Sequence, residues 1–150
     1  MERTGTEIRG LFQEICLLDL VLSLYGSYAP RLCDPEGRRL IESYLQSERD
    51  RRARIERYLA SRGAPLAPLV RSFFAAAGAL YGRLTSLFGT RFMLRTALSS
   101  SRRAARRACS LLETEKNPEI IYLSSMGARN EGDLVDKLRQ HLIDTAPRRR

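Results

Sequence analysis

Residues 34–63 read DPEGRRLIESYLQSERDRRARIERYLASRG. This stretch contains both the start signal and the stop signal of one long amphipathic helix, which indicates a helical fold. Asp34 is a favourable N-cap, and Pro35 suits the first helical position. At the far end, Arg62-Gly63-Ala64-Pro65 is a stop signal. The sequence therefore predicts a helix over residues 35–61.

The same helical spacing of apolar residues recurs along the chain, and almost nothing alternates with the period of two that a strand requires. It predicts further helices over residues 6–29, with Thr6 as N-cap, and over 67–88 and 91–112. A short helix over 118–125, a loop over 126–130 and a last helix to Ile143 complete the prediction. We therefore expect an all-α fold, an antiparallel four-helix bundle with additional short C-terminal helices.

The length of 150 residues fits a single domain over residues 1–146, with a main bundle over about 6–113 and C-terminal helices over about 118–144. Residues 147–150 are expected to form a disordered basic tail. The three cysteines, Cys16, Cys33 and Cys109, include no Cys-x-x-Cys pair, so we expect reduced and mostly buried thiols. Without a recognisable signal peptide, the expected location is cytoplasmic, either free or peripheral at a membrane.

Charged residues fall on the apolar faces of the first two helices. Glu48, Arg51 and Arg52 lie in the same arc as the apolar residues of the second helix, and Asp19 lies among those of the first. Charges on a core face are costly unless they are paired. The sequence thus predicts an ionic core of four residues, which are Asp19, Glu48, Arg51 and Arg52.

The first helical pair resembles that of ferritin-like proteins of the rubrerythrin type. The similarity follows a pattern of residues along both helices: Leu11, Asp19, Tyr25, Ala29, Asp34-Pro35-Glu36, Leu40-Ile41, Glu48, Arg51, Ile55, Leu59 and Gly63. Two later segments, 63–69 and 78–89, are similar to the demethoxyubiquinone hydroxylase branch of the same fold. The resemblance implies that Asp19 stands near the first carboxylate of a di-iron site and that Glu48 matches the Glu of a Glu-x-x-His pair.

The departures from that family remove the expected metal site. Arg51 stands where the resemblance implies a His, and residues 63–112 contain no Asp, Glu or His. A di-iron site needs carboxylate and His ligands from both helix pairs, so we expect no metal, no cofactor and no catalytic residues. Two interpretations of the ionic core remain open. It either only satisfies buried charge, or it forms the polar end of a pocket for a small anion or ligand headgroup.

The third predicted helix separates small residues from large apolar ones. Its small face, for close helix packing within the chain or for a homodimer contact, consists of Ala75, Gly78, Gly82 and Gly89. Its large face, for lipid, a hydrophobic ligand or a partner, consists of Phe73, Phe74, Leu80, Tyr81, Leu84 and Phe88. The resemblance to the quinone hydroxylase branch implies association of this region with a membrane surface.

The net charge of +9 comes almost entirely from the middle of the chain, because residues 63–112 hold 8 Arg and no acidic side chain. The fourth predicted helix carries a purely cationic face, which consists of Arg91, Arg95, Arg102, Arg103, Arg106 and Arg107. Such a face is either solvated and paired with acids elsewhere, such as Glu113 or Glu115, or binds an anionic membrane surface or an acidic protein. Nucleic acid is a further alternative, although no nucleic-acid-binding motif is present.

These observations predict a non-catalytic helical module that binds or scaffolds. Its expected partner is an anionic membrane surface or an acidic protein, and it is expected to form a homodimer if the small face is a subunit contact. The first alternative is binding of a lipid or quinone, or a membrane-associated enzyme, that uses the interior of the bundle. The second alternative is nucleic-acid binding through the arginine face.

Overall fold

The computed structural model of the protein describes residues 2–64 and 67–146, with side chains from residue 8 onwards. It is all-α. The described residues form five helices: α1 Glu2–Tyr28, α2 Pro35–Ser61, α3 Pro68–Ser86, α4 Thr90–Thr114 and α5 Pro118–Asp144. A single 3-10 turn, Ala29–Arg31, follows α1. The predicted tail, 147–150, lies outside the described residues.

The ends of α2 agree with the prediction, since Asp34 accepts a hydrogen bond from the backbone N–H of Glu36 and Gly63 adopts a positive φ of 66°. The start of α1 does not agree. The helix begins at Glu2, so Thr6 is not its N-cap. A single interior glycine such as Gly5 costs a helix only about 1 kcal/mol, which is too little to stop it.

The prediction of short C-terminal helices is wrong, because α5 is one helix of 27 residues that runs through the expected loop at 126–130. Gly127 and Asn130 suggested a break, but the inward-facing positions continue without one. They recur at spacings of three or four residues: Ile120, Leu123, Gly127, Glu131, Leu134 and Leu138. Tertiary packing along this face outweighs the weak helix propensity of its Gly and Asn.

The direction of each helix can be described by two apolar clusters, one near each end of the helix assembly. The tyrosine cluster is built around Tyr25, Tyr28, Tyr44, Leu94 and Leu138. The isoleucine cluster is built around Leu11, Ile15, Ile55, Leu59 and Ile120. Helices α1 and α5 run from the isoleucine cluster to the tyrosine cluster, and α2 runs in the opposite direction. The main packed pairs are α1 with α2, α2 with α5, and α5 with α4, while α3 packs mainly on α1. α5 thus packs directly beside α2, although the C-terminal helices were expected to be additional to a bundle formed by the first four.

The glycines of α3 pack against α1 within the same chain. A Cβ on Gly82 would lie 2.8 Å from the backbone oxygen of Leu24, and a Cβ on Gly78 would overlap the backbone of Leu20. Both glycines are buried. Because Gly78 meets Leu20 and Gly82 meets Leu24, α3 lies parallel to α1 at close range. Gly89 does not belong to this face, contrary to the prediction. It is the N-cap of α4 with a positive φ of 89°, and nothing lies near the position of its Cβ.

The three thiols are free, but only Cys16 is buried, whereas Cys33 and Cys109 are exposed. The expectation of mostly buried thiols is therefore wrong. Cys33 lies in the turn before α2, and Cys109 lies on α4 one position beyond the buried Ala108, so helical periodicity turns it outward.

Candidate functional site

A layer of polar side chains lies between the two apolar clusters, with Arg51 at its centre. The Arg51 guanidinium forms ion pairs with Glu14 of α1 and, at 3.0 Å, with Glu48 of its own helix. Glu48 is 0% exposed, and its other oxygen accepts a hydrogen bond of 2.8 Å from the side-chain amide of Asn130. The guanidinium fits because Gly127 of α5 has no side chain at that point. Three helices therefore contribute to one buried network.

Glu131 extends this layer from α5 and is 5% exposed. Its Oε1 accepts a hydrogen bond from the Tyr44 hydroxyl, whereas its buried Oε2 has no hydrogen-bond partner among the described residues. Burial raises the pKa of Glu131 to about 7, and the nearby Glu48 adds to this, while the hydroxyls of Tyr44 and Ser101 and the charge of Arg51 oppose it. The carboxyl is thus poised to change charge near neutral pH.

The predicted ionic core divides into two separate networks. Asp19 pairs with Arg52 at 2.9 Å and with Arg71 of α3 at 2.7 Å, and Arg71 also reaches Glu56 at 2.5 Å. Glu48 and Arg51 belong instead to the buried layer with Glu14. The reason is helical geometry, since Arg51 and Arg52 are adjacent residues that point about 100° apart on α2. The expectation of one four-residue core is therefore corrected.

Glu14, Glu131 and Asn130 were missed by the sequence analysis. Glu131 was detectable, because it lies four residues after Gly127 and three before Leu134 on the inward face of α5. Arg71 was also missed as the third partner of Asp19. Among the described residues, no group of three or more His, Cys, Asp or Glu side chains is arranged to hold a metal ion.

A cleft of about 510 Å³ opens beside the buried layer, between α1, α3 and α4. Its walls are mainly apolar and include Leu17, Leu18, Val21, Phe74, Ala104 and Leu111. Glu14, Arg51 and Glu131 line the same cleft, as does Arg107 of α4. This size and this mixture of apolar walls with a few polar groups are typical of small-molecule sites.

The large apolar residues of α3 face away from α1 and are exposed, with one exception. Phe73 is 70% exposed and Leu87 is 80% exposed, and five further side chains share the stripe: Leu69, Leu80, Tyr81, Leu84 and Phe88. Phe74 does not belong to it, contrary to the prediction, since it is half-buried against the isoleucine cluster. One helix thus buries its glycines on α1 and presents a hydrophobic stripe on its outer side.

The six arginines of α4 predicted to form a cationic face are all exposed. None of them forms an ion pair with an acidic side chain in the part of the chain that the structure describes. Glu115, one expected partner, instead accepts hydrogen bonds from the backbone N–H groups of Lys116 and Asn117. The apolar stripe reaches this face, because Phe88, in the turn after α3, contacts Phe92 of α4 with ring centroids 5.0 Å apart.

His141, the only histidine, pairs with Asp34 and so ties the end of α5 to the start of α2. Hydrogen bonding to His141 and to nearby backbone N–H groups lowers the pKa of Asp34, although partial burial acts against this as the largest single effect. The pair closes one end of the helix assembly.

Comparisons of the chain with protein-family models, with curated proteins and with solved structures found no match. No helix within the described residues has the length and apolar character needed to cross a membrane.

Proposed function

We propose that the protein is a non-catalytic helical module that binds the surface of an anionic membrane through the apolar stripe of α3 and the arginines of α4. The observation that carries the proposal is the combination of the two surfaces. Seven large apolar residues are exposed in one stripe, five on α3 and two in the turn that follows it, and the stripe meets the arginine face of α4.

The apolar stripe has the composition of an interfacial helix. Its residues would enter the boundary between headgroups and acyl chains, and burial of apolar surface stabilises such binding at about 25 cal/mol per Å². Arg83 lies on α3 and is exposed, and Arg91 and Arg95 flank Phe92 on α4. Each such Arg near an anionic surface adds about 1 kcal/mol, or roughly fivefold in partitioning.

Charge complementarity favours lipid over the other partners. The arginines of α4 have no acidic partner among the described residues, and anionic headgroups would supply one. An acidic protein or nucleic acid satisfies the arginines equally, but neither needs the adjacent hydrophobic stripe. A second copy of this chain could cover the stripe, but its own arginines would then repel those of the first.

We also propose that the fold is a ferritin-like bundle whose centre is occupied by a buried salt bridge. In that interpretation α1, α2, α4 and α5 are the bundle helices, and α3 lies outside the bundle, packed along α1. Glu14, instead of the Asp19 that the resemblance implies, then stands with Glu48 and Glu131 where inward carboxylates of such bundles stand, and the Arg51 guanidinium takes the central position. This arrangement supports a binding role more than a metal-dependent one.

Vesicle sedimentation tests the membrane proposal. We expect binding to vesicles of phosphatidylcholine with 30% phosphatidylglycerol, weak binding to phosphatidylcholine alone, and loss of binding as salt rises. The double variant Leu80→Glu/Leu84→Glu should abolish binding without unfolding the protein, since both side chains are exposed. The control Tyr122→Glu/Ile143→Glu changes two exposed apolar residues on α5 and should bind as the unaltered chain does.

The same variants distinguish the other partners. Retention of vesicle binding in Leu80→Glu/Leu84→Glu would exclude the stripe as the membrane contact. Failure of the unaltered chain to bind acidic vesicles, together with a dimer in sedimentation equilibrium that Leu84→Glu dissociates, would replace the membrane with a second copy. Salt-dependent binding to a DNA duplex at low protein concentration, in the absence of vesicle binding, would favour nucleic acid.

A further inference from the structure

The cleft beside the buried layer is independent of the exposed stripe, although α3 contributes to both. Phe74 faces the cleft and the isoleucine cluster, whereas Phe73 lies on the outer side of the helix. A ligand in the cleft would therefore contact α1, α3, α4 and α5 at once. Its walls consist mostly of Leu, Val, Phe and Ala side chains, so the larger part of such a ligand must be apolar.

Glu131 is a buried polar residue of the cleft wall with capacity to bind a further group. It is 5% exposed, and its Oε2 has no partner among the described residues, whereas its Oε1 is occupied by Tyr44. The neighbouring Ser101 hydroxyl lowers the pKa of Glu131, but it lies 3.2 Å from the Tyr25 hydroxyl and does not meet hydrogen-bond geometry at Oε2. A buried oxygen without a donor costs free energy, so a ligand that brings a donor to it gains affinity and specificity. Glu131 is part of the cleft wall, so a donor on a ligand at the inner end of the cleft would lie beside this carboxyl group.

The charges around the inner end of the cleft determine which kind of ligand group can donate a hydrogen bond to Glu131. Three carboxyl groups, those of Glu14, Glu48 and Glu131, surround one guanidinium, that of Arg51. The guanidinium is already held by two of these carboxylates. An anionic headgroup beside Glu131 would face these carboxyl groups, because Arg107, the arginine of the lining that is unpaired among the described residues, is exposed on α4 whereas Glu131 is 5% exposed. A neutral hydroxyl group meets no such repulsion.

We propose that the cleft binds a small apolar molecule ending in a hydroxyl group, whose O–H donates a hydrogen bond to Glu131. This site is distinct from the membrane contact and does not depend on it. The class of ligand is an aliphatic or aromatic alcohol, and its apolar portion lies between α1, α3 and α4. Among ligands of the same shape, those with a hydroxyl proton bind more tightly than those without one.

Three probes of similar length separate this proposal from general hydrophobic binding. Octan-1-ol has the donor, 1-methoxyheptane has the same chain length without it, and octanoate carries an anionic end. In isothermal titration at pH 8 with the full chain, we expect octan-1-ol to bind about tenfold more tightly than the ether, as one buried hydrogen bond predicts. Octanoate is expected to bind more weakly than the alcohol. Equal affinities for alcohol and ether, or tighter binding of octanoate, would overturn the proposal.

Two variants locate the site. Glu131→Leu removes the acceptor and should bring the alcohol and the ether within twofold of one another, while the ether keeps its affinity. Ala104→Phe places a ring in the cleft and should prevent binding of both probes. Its control, Ser110→Phe, adds the same ring at an exposed position of α4 and should leave binding unchanged. A tenfold alcohol preference that survives in Glu131→Leu, or binding that survives in Ala104→Phe, would show that the site is elsewhere.

Discussion

The guanidinium of Arg51 lies directly against Gly127, at the point where any other residue of α5 would carry a Cβ. The two residues are on different helices and depend on one another. Arg51 can reach Glu14 because Gly127 has no side chain in the way. Glycine is a poor helix former, so its presence within α5 costs helix stability. The buried salt bridge is therefore built into the packing of α2 on α5.

The first prediction concerns that contact. Gly127→Ala improves helix propensity by about 1 kcal/mol but forces the Arg51 guanidinium to move from between two carboxylates. We expect a net loss of about 1–3 kcal/mol in the free energy of unfolding, measured by urea denaturation. Gly132→Ala on the same helix is the matched control, because nothing lies within 4 Å of its Cβ position. It should stabilise the protein, and a stabilising Gly127→Ala would contradict the packing described here.

The second prediction concerns the charge of Arg51. Arg51→Met leaves Glu48 buried without its cation and should cost about 3–5 kcal/mol in urea denaturation. Arg52→Met should cost much less, because Arg52 is 35% exposed and Asp19 retains Arg71. Adding Glu48→Gln to Arg51→Met should recover part of the loss, since the neutral amide can still accept from Asn130. Equal losses of unfolding free energy in Arg51→Met and Arg52→Met would show that the buried layer does not depend specifically on Arg51.

Much of the helical structure follows from local sequence signals. The bounds of α2 were predicted because an N-cap, a proline and a glycine stop all agree with its apolar spacing. The break between α3 and α4 was predicted at Gly89, which adopts a positive φ. These are short-range effects, and they need no knowledge of the tertiary contacts.

The site was less predictable because its residues come from distant parts of the chain. Asp19, Glu48 and Arg51 were identified as inward-facing charges, but which of them meet depends on how α1 and α2 rotate against one another. Arg71 joins Asp19 across 52 positions of sequence and Asn130 joins Glu48 across 82, so no local pattern could reveal either pair. The error at 126–130 had a similar origin, since tertiary packing along the inward face of α5 outweighs the weak helix propensity of Gly127 and Asn130.

The third prediction concerns the close contact of α3 with α1. A Cβ on Gly78 would overlap the backbone of Leu20, which cannot rotate away as a side chain can. Gly78→Ala should therefore destabilise the protein by about 1–3 kcal/mol despite its better helix propensity. Gly26→Ala is the control on α1, where nothing lies within 4 Å of the added Cβ, and it should stabilise the protein by about 0.5–1 kcal/mol. If both variants were stabilised equally in thermal unfolding, α3 would not pack on α1 through its glycines.

The last prediction concerns the pH dependence of stability. The pKa of Glu131 rises from 4.5 to about 7 on folding, first because of burial and then because of Glu48, against the hydroxyls of Tyr44 and Ser101 and the charge of Arg51. The folded protein therefore keeps a proton that the unfolded chain has lost between these two pH values. Stability from this group is fully present below pH 4.5 and is lost as the pH rises to about 7.

Glu131→Gln should remove that dependence, because an amide stays neutral and can still accept from Tyr44. Each pKa unit corresponds to about 1.4 kcal/mol, so the stability of the unaltered chain relative to the variant should fall by about 3 kcal/mol between pH 4.5 and 8. Urea denaturation at a series of pH values measures this difference, and Glu42→Gln, at an exposed position of α2, controls for the loss of one negative charge. Parallel stability curves for the unaltered chain and Glu131→Gln would mean that the carboxyl is ionised in the folded protein at neutral pH. In that case the unpaired Oε2 would carry a buried charge, and a donor from a ligand would be needed even more.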